Sequence, residues 1–247
     1  MKILFSPSEG KVHGGDGAPL SPDALLFPDY YPKRQEVLDR YMHFIRHADT
    51  AALQKLIGTK KESECEAVRQ VDLYNDPTMK ALQRYSGVAY DYLEYALLSD
   101  ERQAWLDRNL LLFSNLFGPI LGGDMIPWYK LKQGEKLEGF AVEKHYAKHF
   151  TPPLDTFLEG QFIIDLRAGF YLKFYKLKQP HVTMKFIKNG KVVSHWAKAY
   201  RGMAVKTLSE YRPQNEAAFR EIPFPNLSIL EIQTDGLKTE YIYEITA

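Results

Sequence analysis

Val182-Thr-Met-Lys-Phe-Ile-Lys188, Asn189-Gly190 and Lys191-Val-Val-Ser-His-Trp196 form two β-rich runs on either side of an Asn-Gly pair. Asn-Gly is the strongest short signal for a hairpin, since a type I′ turn needs positive φ at both central residues. The spacing predicts a β-hairpin over 182–196. Beyond it, Ala197-Lys-Ala-Tyr-Arg-Gly-Met-Ala-Val-Lys-Thr-Leu-Ser-Glu210 reads as a helix. At the helical period Tyr200, Met203, Ala204, Thr207, Leu208 and Tyr211 share a mostly apolar face, and Lys198, Arg201, Gly202, Lys206 and Ser209 fall opposite. Gly202 is out of place in a helix interior, where it costs about 1 kcal/mol relative to alanine. Either a ligand or a neighbouring backbone comes close between Lys198 and Arg201, or this side is a plain solvated charged face with glycine at a tight helix contact.

The 247 residues suffice for a full hydrophobic core. Hydrophobic residues make up 45% and charged residues 26%, ordinary values for a soluble globular protein. Lysine and arginine (32) nearly balance aspartate and glutamate (31), so the net charge is +1. That excludes a wholesale basic protein and leaves room for a local basic cleft. A single cysteine, Cys65, rules out an internal disulfide and a cysteine-based zinc site. No apolar run approaches the roughly 20 residues of a membrane helix, and Met1-Lys-Ile-Leu-Phe-Ser-Pro7 is broken too soon for a secretory signal. The expectation is a cytoplasmic protein with no membrane partner.

Lys2-Ile-Leu-Phe5 reads as a buried strand running into the small-residue loop Ser6-Pro-Ser-Glu-Gly-Lys11, which is not a phosphate-binding Walker loop. From Pro32 to Asn109 the pattern is helical. Ala51–Ile57, Gly58, Thr59 and a helix through Cys65 to Tyr74 outline a helix-hairpin-helix, whose loop amides can hold a DNA phosphate; an ordinary helical corner is the competing reading. Asp76-Pro77 opens a helix running into the aromatic Tyr85–Tyr95 segment. Asn109–Ser114 is a strand, followed by a shaped loop with Gly118-Pro119, Gly122-Gly123, Asp124, Tyr129 and Lys130. Glu135–Phe150 reads as helix; Gln161–Leu166, Leu227–Ile232 and Tyr241–Ile245 read as strands, and Glu216–Phe219 as helical. His145 and His149, like His43 and His47, sit at i, i+4, a spacing that can hold a metal, but no third ligand is evident. The fold expected is mixed α+β in one domain over 1–247, a central sheet with the 182–196 hairpin flanked by helices, and a helix-rich segment over 32–109.

Together these segments resemble the YaaA family of peroxide-stress-resistance proteins. Ser6-Pro7 is similar to the family's opening SPAK, Tyr85-x-Gly87-x-x-Tyr90 to FxGxxY, and Ser114-Asn-Leu-Phe-Gly118 with Asp124 and Tyr129-Lys-Leu131 to SGLYG followed by D and YRL. Ile164-x-Leu166, Tyr171 and Lys173 resemble INLAS-x-EY-x-K, and Ala197-Lys198, Arg201 and Gly202 match AKxxRG. Here the opening lysine moves to Lys11, and Ala168-Gly169-Phe170 replaces an SxE triplet. The resemblance implies a protein that protects against hydrogen peroxide, is linked to lower free iron, and binds DNA through a positively charged cleft with a helix-hairpin-helix-like element.

On that basis Lys11, Lys130, Arg167, Lys173, Lys198 and Arg201 are expected to line one cleft and contact DNA backbone phosphates, arginine as a fork and lysine as a point charge. Ser6, Pro7, Gly87, Tyr90, Gly118, Asp124, Tyr129 and Gly202 would shape it, with Tyr90 and Tyr129 stacking on bases. No cofactor or metal is expected, and no residue is singled out as catalytic. The alternative is an enzyme acting on a nucleotide or other phosphorylated small molecule in the same pocket, with Glu9, Asp124 and Asp165 as candidate acid, base or metal carboxylates. A third reading is iron chelation by His145, His149 and nearby carboxylates. A deep narrow pocket favours the enzyme, and an open groove favours DNA.

Overall fold

The computed structural model describes residues 1–246, apart from the side chains of Val192, Ser194 and His195; Ala247 lies outside the described residues. In chain order the elements are β1 (Lys2–Phe5), α1 (Tyr31–His47), α2 (Thr50–Ile57), α3 (Glu62–Arg69), β2 (Met79–Lys80), α4 (Ala81–Arg84), α5 (Val88–Leu93) and α6 (Asp100–Asn109). There follow β3 (Leu110–Ser114), β4 (Gly118–Leu121), β5 (Met125–Ile126), α7 (Val142–Leu158), β6 (Ile163–Asp165), β7 (His181–Lys188), β8 (Lys191–Val192), α8 (Ser194–Tyr211), α9 (Glu216–Arg220), β9 (Leu227–Asp235) and β10 (Lys238–Ile245).

The main sheet runs β4-β3-β1-β6-β7-β10-β9, with β8 beside β7, and β2 pairs with β5 separately. This is the mixed α+β architecture expected. Strands β3, β1, β6, β7 and β10 are mutually parallel, and β4 and β9 close the edges antiparallel. A parallel centre covered on both faces demands uninterrupted apolar strands. Ile3, Leu4 and Leu110 through Phe113 meet that demand, with no exposed surface. One apolar core extends from Met1 to Ile245.

The Asn-Gly turn is present, with φ of 51° at Asn189 and 71° at Gly190. Its return strand is only two residues long, and α8 begins at Ser194 rather than Ala197. The side of α8 opposite Tyr200 and Leu208 is not a solvated front: Gly202, Val205 and Ser209 are buried there against α5 and α6. Arg102 of α6 donates from Nε to Ser209 Oγ (3.0 Å) and from Nη2 to the Lys206 carbonyl (2.6 Å).

Three helices differ from the periodicity reading. The expected Asp76–Tyr95 helix breaks at Tyr85–Gly87, because Lys11 and Tyr85 pair as an antiparallel bridge and Gly87 turns the chain at φ 109°. The helix placed at Glu135–Phe150 occupies Val142–Leu158 instead and passes through Pro152-Pro153. The segment before it folds into a turn in which Leu137 and Phe140 exchange backbone hydrogen bonds. The helix expected up to Tyr74 stops at Arg69. Among the described residues no helix is long and apolar enough to cross a membrane.

Candidate anion-binding site

The connection leaving β1 leads to β3 on one side, and the connection leaving β6 leads to β7 on the other. Adjacent parallel strands whose connections diverge leave a crevice outside their carboxyl ends, the usual ligand position in sheets of this kind. A cavity of about 350 Å³ lies there, within the range of roughly 300–1,000 Å³ for small-ligand sites. Ser6, Pro7 and Ser8 after β1, Leu166 and Ala168 after β6, Gly87–Tyr90 of the α5 start, and Lys198 and Arg201 of α8 line it.

Hydrogen bonds hold the exit of β1 from both sides. Ala168 N donates to Ser6 Oγ (2.8 Å) and Tyr90 OH donates to the Ser6 carbonyl (2.9 Å). Gly10 N donates to Ser8 Oγ (3.2 Å), and a Cβ on Gly87 would lie 3.3 Å from that oxygen. Gln133 N donates to Glu9 Oε1 (3.0 Å), which ties the loop before α7 across the rim. Gly202 has a steric explanation: a Cβ there would lie 2.0 Å from the Ala89 carbonyl oxygen. Of the two causes weighed for it, the close approach is made by a neighbouring backbone, and that approach brings α5 onto α8 beside Lys198 and Arg201.

Arg201 decides the character of the cavity. Among the described residues neither it nor Lys198 forms a hydrogen bond or ion pair, and Arg201 Nε is buried without a partner. Burial pulls its guanidinium below the ordinary arginine pKa, against the opposing influence of Asp165. A buried donor with no acceptor is costly, about 1–3 kcal/mol or more when charged, and is relieved by an anion.

The sequence matches the family model described as peroxide stress protein YaaA over residues 1–232. This chain belongs to the YaaA peroxide stress protein family. A Campylobacter jejuni protein described as uncharacterized is 44% identical over 245 residues, 99% of both chains. A UPF0246 protein of Corynebacterium glutamicum is 36% identical over 222 residues, 85% of each chain. One of Streptomyces coelicolor is 30% identical over 215 residues, 84% of this chain and 82% of its own.

The six cations read onto the YaaA motifs do not share one hollow. Lys198 and Arg201 line the cavity, while Lys11 and Lys130 line a neighbouring hollow of about 410 Å³, with Glu9 in the wall of both. Lys130 is ion-paired with Glu64. Half-buried Lys11 donates to the carbonyls of Ser8 (3.0 Å) and Glu9 (3.3 Å) and lies 4.2 Å from the Tyr129 ring centre. Its amine is pushed down to about 7, chiefly by burial, with Glu9 opposing and Lys130 and Arg84 adding.

Arg167 is a core residue. It grips both carboxylate oxygens of Asp165 (2.9 and 2.7 Å), donates to the Tyr175 carbonyl (2.9 Å) and lies over Phe113. Lys173 is exposed and rests against Phe170, away from the cavity.

Among the shaping residues, Ser6, Pro7, Gly87, Tyr90 and Gly202 stand at the cavity or its α5–α8 wall. Tyr129 does not offer a face to a base: it is 1% exposed, with its hydroxyl 2.8 Å from both Tyr85 OH and Ser114 Oγ. Gly118, at φ 69°, makes room for the Tyr146 ring, 2.3 Å from where a Cβ would stand. Asp124 is buried and accepts from Leu26 N (2.8 Å) and Leu121 N (3.0 Å); burial raises its carboxyl to about 6. Both therefore organise the β3–β4 side of the fold.

His145 Nε2 is 2.8 Å from the Lys33 carbonyl and His47 Nδ1 is 2.8 Å from the His43 carbonyl, so each pair has one ring nitrogen already engaged. Among the described residues no group of three or more His, Cys, Asp or Glu is placed to hold a metal ion. Helices α2 and α3 follow one another across Gly58, at φ 72°, where a Cβ would meet the Lys132 side chain. Sequence reasoning passed over Ser8, Gln133 and Tyr171 as cavity residues. Ser8 and Tyr171 lay inside quoted motifs, whereas Gln133 is brought in by a loop with no pattern of its own.

Proposed function

We propose that this member of the YaaA family serves the peroxide stress response by binding a phosphate-bearing ligand in the cavity at the β1 and β6 exits. The observation that carries this reading is the pair Lys198 and Arg201, both without a hydrogen-bond or ion-pair partner among the described residues, one with a buried and unsatisfied Nε. The ligand is a small molecule or a single nucleotide unit of a strand, since the cavity of about 350 Å³ has no room for a duplex. DNA contact, as the family resemblance implies, then engages few phosphates. With about two phosphates of a single strand neutralised, the log–log salt slope is about −1.4, against about −4 for six cations along one groove.

The test is calorimetric titration with tripolyphosphate and salt-dependent DNA binding, on the intact chain and on Lys198→Ala, Arg201→Met and Lys173→Ala. Loss of binding in the first two variants with Lys173→Ala unchanged supports the reading; equal losses in all three overturn it. A second reading, catalysis on a phosphate ester in the neighbouring hollow, draws on the Lys11 amine that lines it, held by the Ser8 and Glu9 carbonyls and lowered by burial to about 7. Phosphate release that disappears in Lys11→Met would support that reading, and no release by the intact chain would remove it.

A further inference from the structure

The lining of the cavity at the β1 and β6 exits is of two chemical kinds. Four of its groups have hydrogen to give. Lys198 and Arg201 are unpartnered among the described residues, and the hydroxyls of Ser6 and Ser8 each accept one backbone N–H while keeping their own hydrogen. The remaining wall is largely apolar: Val88, Ala89, Leu166 and the rings of Tyr90 and Tyr171. Tyr90 OH is engaged with the Ser6 carbonyl, so that side chain offers its ring rather than its hydroxyl. The one carboxylate of the lining, Glu9, accepts from Gln133 N at the rim.

We infer that the ligand is a terminal phosphomonoester on a compact body with an apolar face, and that internal phosphodiesters are discriminated against. This deepens the phosphate-binding reading and rests on it. A wall of donors calls for a group rich in acceptors, and a monoester presents three free phosphate oxygens where a diester presents two. Connectivity points the same way. Arg201 Nε is covered, and Nη1 and Nη2, which have no hydrogen-bond partner among the described residues, keep accessible surface where Arg201 lines the cavity, so a group that enters the cavity meets that end of the guanidinium. An internal phosphate of a strand drags a chain away on both sides, whereas a terminal phosphate enters with one substituent, which the apolar wall receives. A mononucleotide and the phosphorylated end of a strand share this chemistry.

Isothermal titration at fixed ionic strength separates the possibilities with AMP, cyclic 3′,5′-AMP, adenosine, inorganic phosphate, and a trinucleotide with and without a 5′-phosphate. AMP should bind at least about 10-fold more tightly than cyclic AMP or adenosine, the span expected for losing one charge-assisted hydrogen bond. The 5′-phosphorylated trinucleotide should exceed its 5′-hydroxyl counterpart by a similar factor if strand ends are the source; preference confined to AMP identifies the free nucleotide. Arg201→Met should erase the monoester preference. Lys198→Ala, at an exposed position that leaves the α5–α8 contact intact, should reduce it about 10-fold, guarding against misfolding of the first variant. Equal affinity for AMP and cyclic AMP overturns the monoester inference, and inorganic phosphate binding as well as AMP overturns the role of the apolar wall. If tripolyphosphate binding is lost in the cation variants while diesters bind as well as monoesters, the phosphate-binding reading stands and this inference falls. Absence of binding by every phosphate probe removes both.

Discussion

Gly202→Ala sets two magnitudes of opposite sign against each other. On helix propensity alone the change stabilises α8 by about 1 kcal/mol. The structure says the opposite outcome wins. The new methyl would stand 2.0 Å from the Ala89 carbonyl oxygen, 2.9 Å from its carbon and 3.1 Å from Leu93 N. All three are backbone atoms, so no side-chain rotation relieves the contact. Restoring an ordinary 3.4 Å contact moves α5 away by about 1.4 Å, the difference between 3.4 and 2.0 Å. A gap of that order forfeits a quarter to a half or more of the dispersion energy across the interface, where Leu93 and Val205 have no exposed surface. Overpacking of this kind costs about 1–3 kcal/mol, and the clash here belongs at or above the upper end, leaving a net loss of about 2 kcal/mol. At about 2–4 °C per kcal/mol for a chain of this size, Tm falls by about 4–8 °C. Because α5 also carries the Gly87–Tyr90 wall, affinity for tripolyphosphate should drop in the same variant. Thermal unfolding and titration of one preparation measure both, and a Tm that rises with affinity unchanged would refute the role assigned to this contact.

Two further outcomes follow from groups outside the cavity. Arg167→Met strips the buried Asp165 carboxylate of its partner, at side-chain exposures of 1% and 7%, and should cost about 3–5 kcal/mol. The double variant Asp165→Asn/Arg167→Met should recover most of that loss and bind anions like the parent chain in urea-melt and titration experiments; loss of binding in the double variant would return Arg167 to the site. Lys11 gives a pH signature. Its folded amine titrates at about 7, against about 10.4 in an unfolded chain. Between those values the unfolded state holds the extra proton, so stability climbs with pH from about 7 to about 10. Urea midpoints at pH 6, 8 and 10 should show that climb in the parent and a flatter profile in Lys11→Met, and parallel profiles would contradict the shift.

Much of the scaffold was legible because its signals are local. Continuous apolar runs gave β1, β3 and β6, and Asn189-Gly190 gave the hairpin. Gly202 gave notice of a close neighbour without saying which. What the sequence could not convey was the sheet order. Lys198 and Arg201 line one cavity with Ser6 and Ser8 because α8 packs on α5 beside the adjacent β1 and β6 exits, and nothing in these segments encodes that arrangement. Arg167 shows the limit most clearly. Its motif position is indistinguishable from that of a ligand-binding arginine, and only the Asp165 carboxylate two residues away, folded back onto it, makes it a core residue. Long elements misled for a related reason: the bridge between Lys11 and Tyr85 overrides a helical pattern through a contact more than 70 residues distant in sequence.

The cavity takes its walls from five stretches: residues 5–9, 87–90 and 133, then Leu166, Ala168 and Tyr171, then Lys198 and Arg201. Only a fragment that spans residues 5–201 contains all five, so a half-finished polypeptide has no pocket to fill. Occupancy is therefore coupled to folding of the chain from residue 5 to residue 201: a ligand at 100 times its Kd adds about 2.7 kcal/mol to stability. Resistance to proteolysis in cell extract, with and without that ligand, would report how much of the protein is loaded.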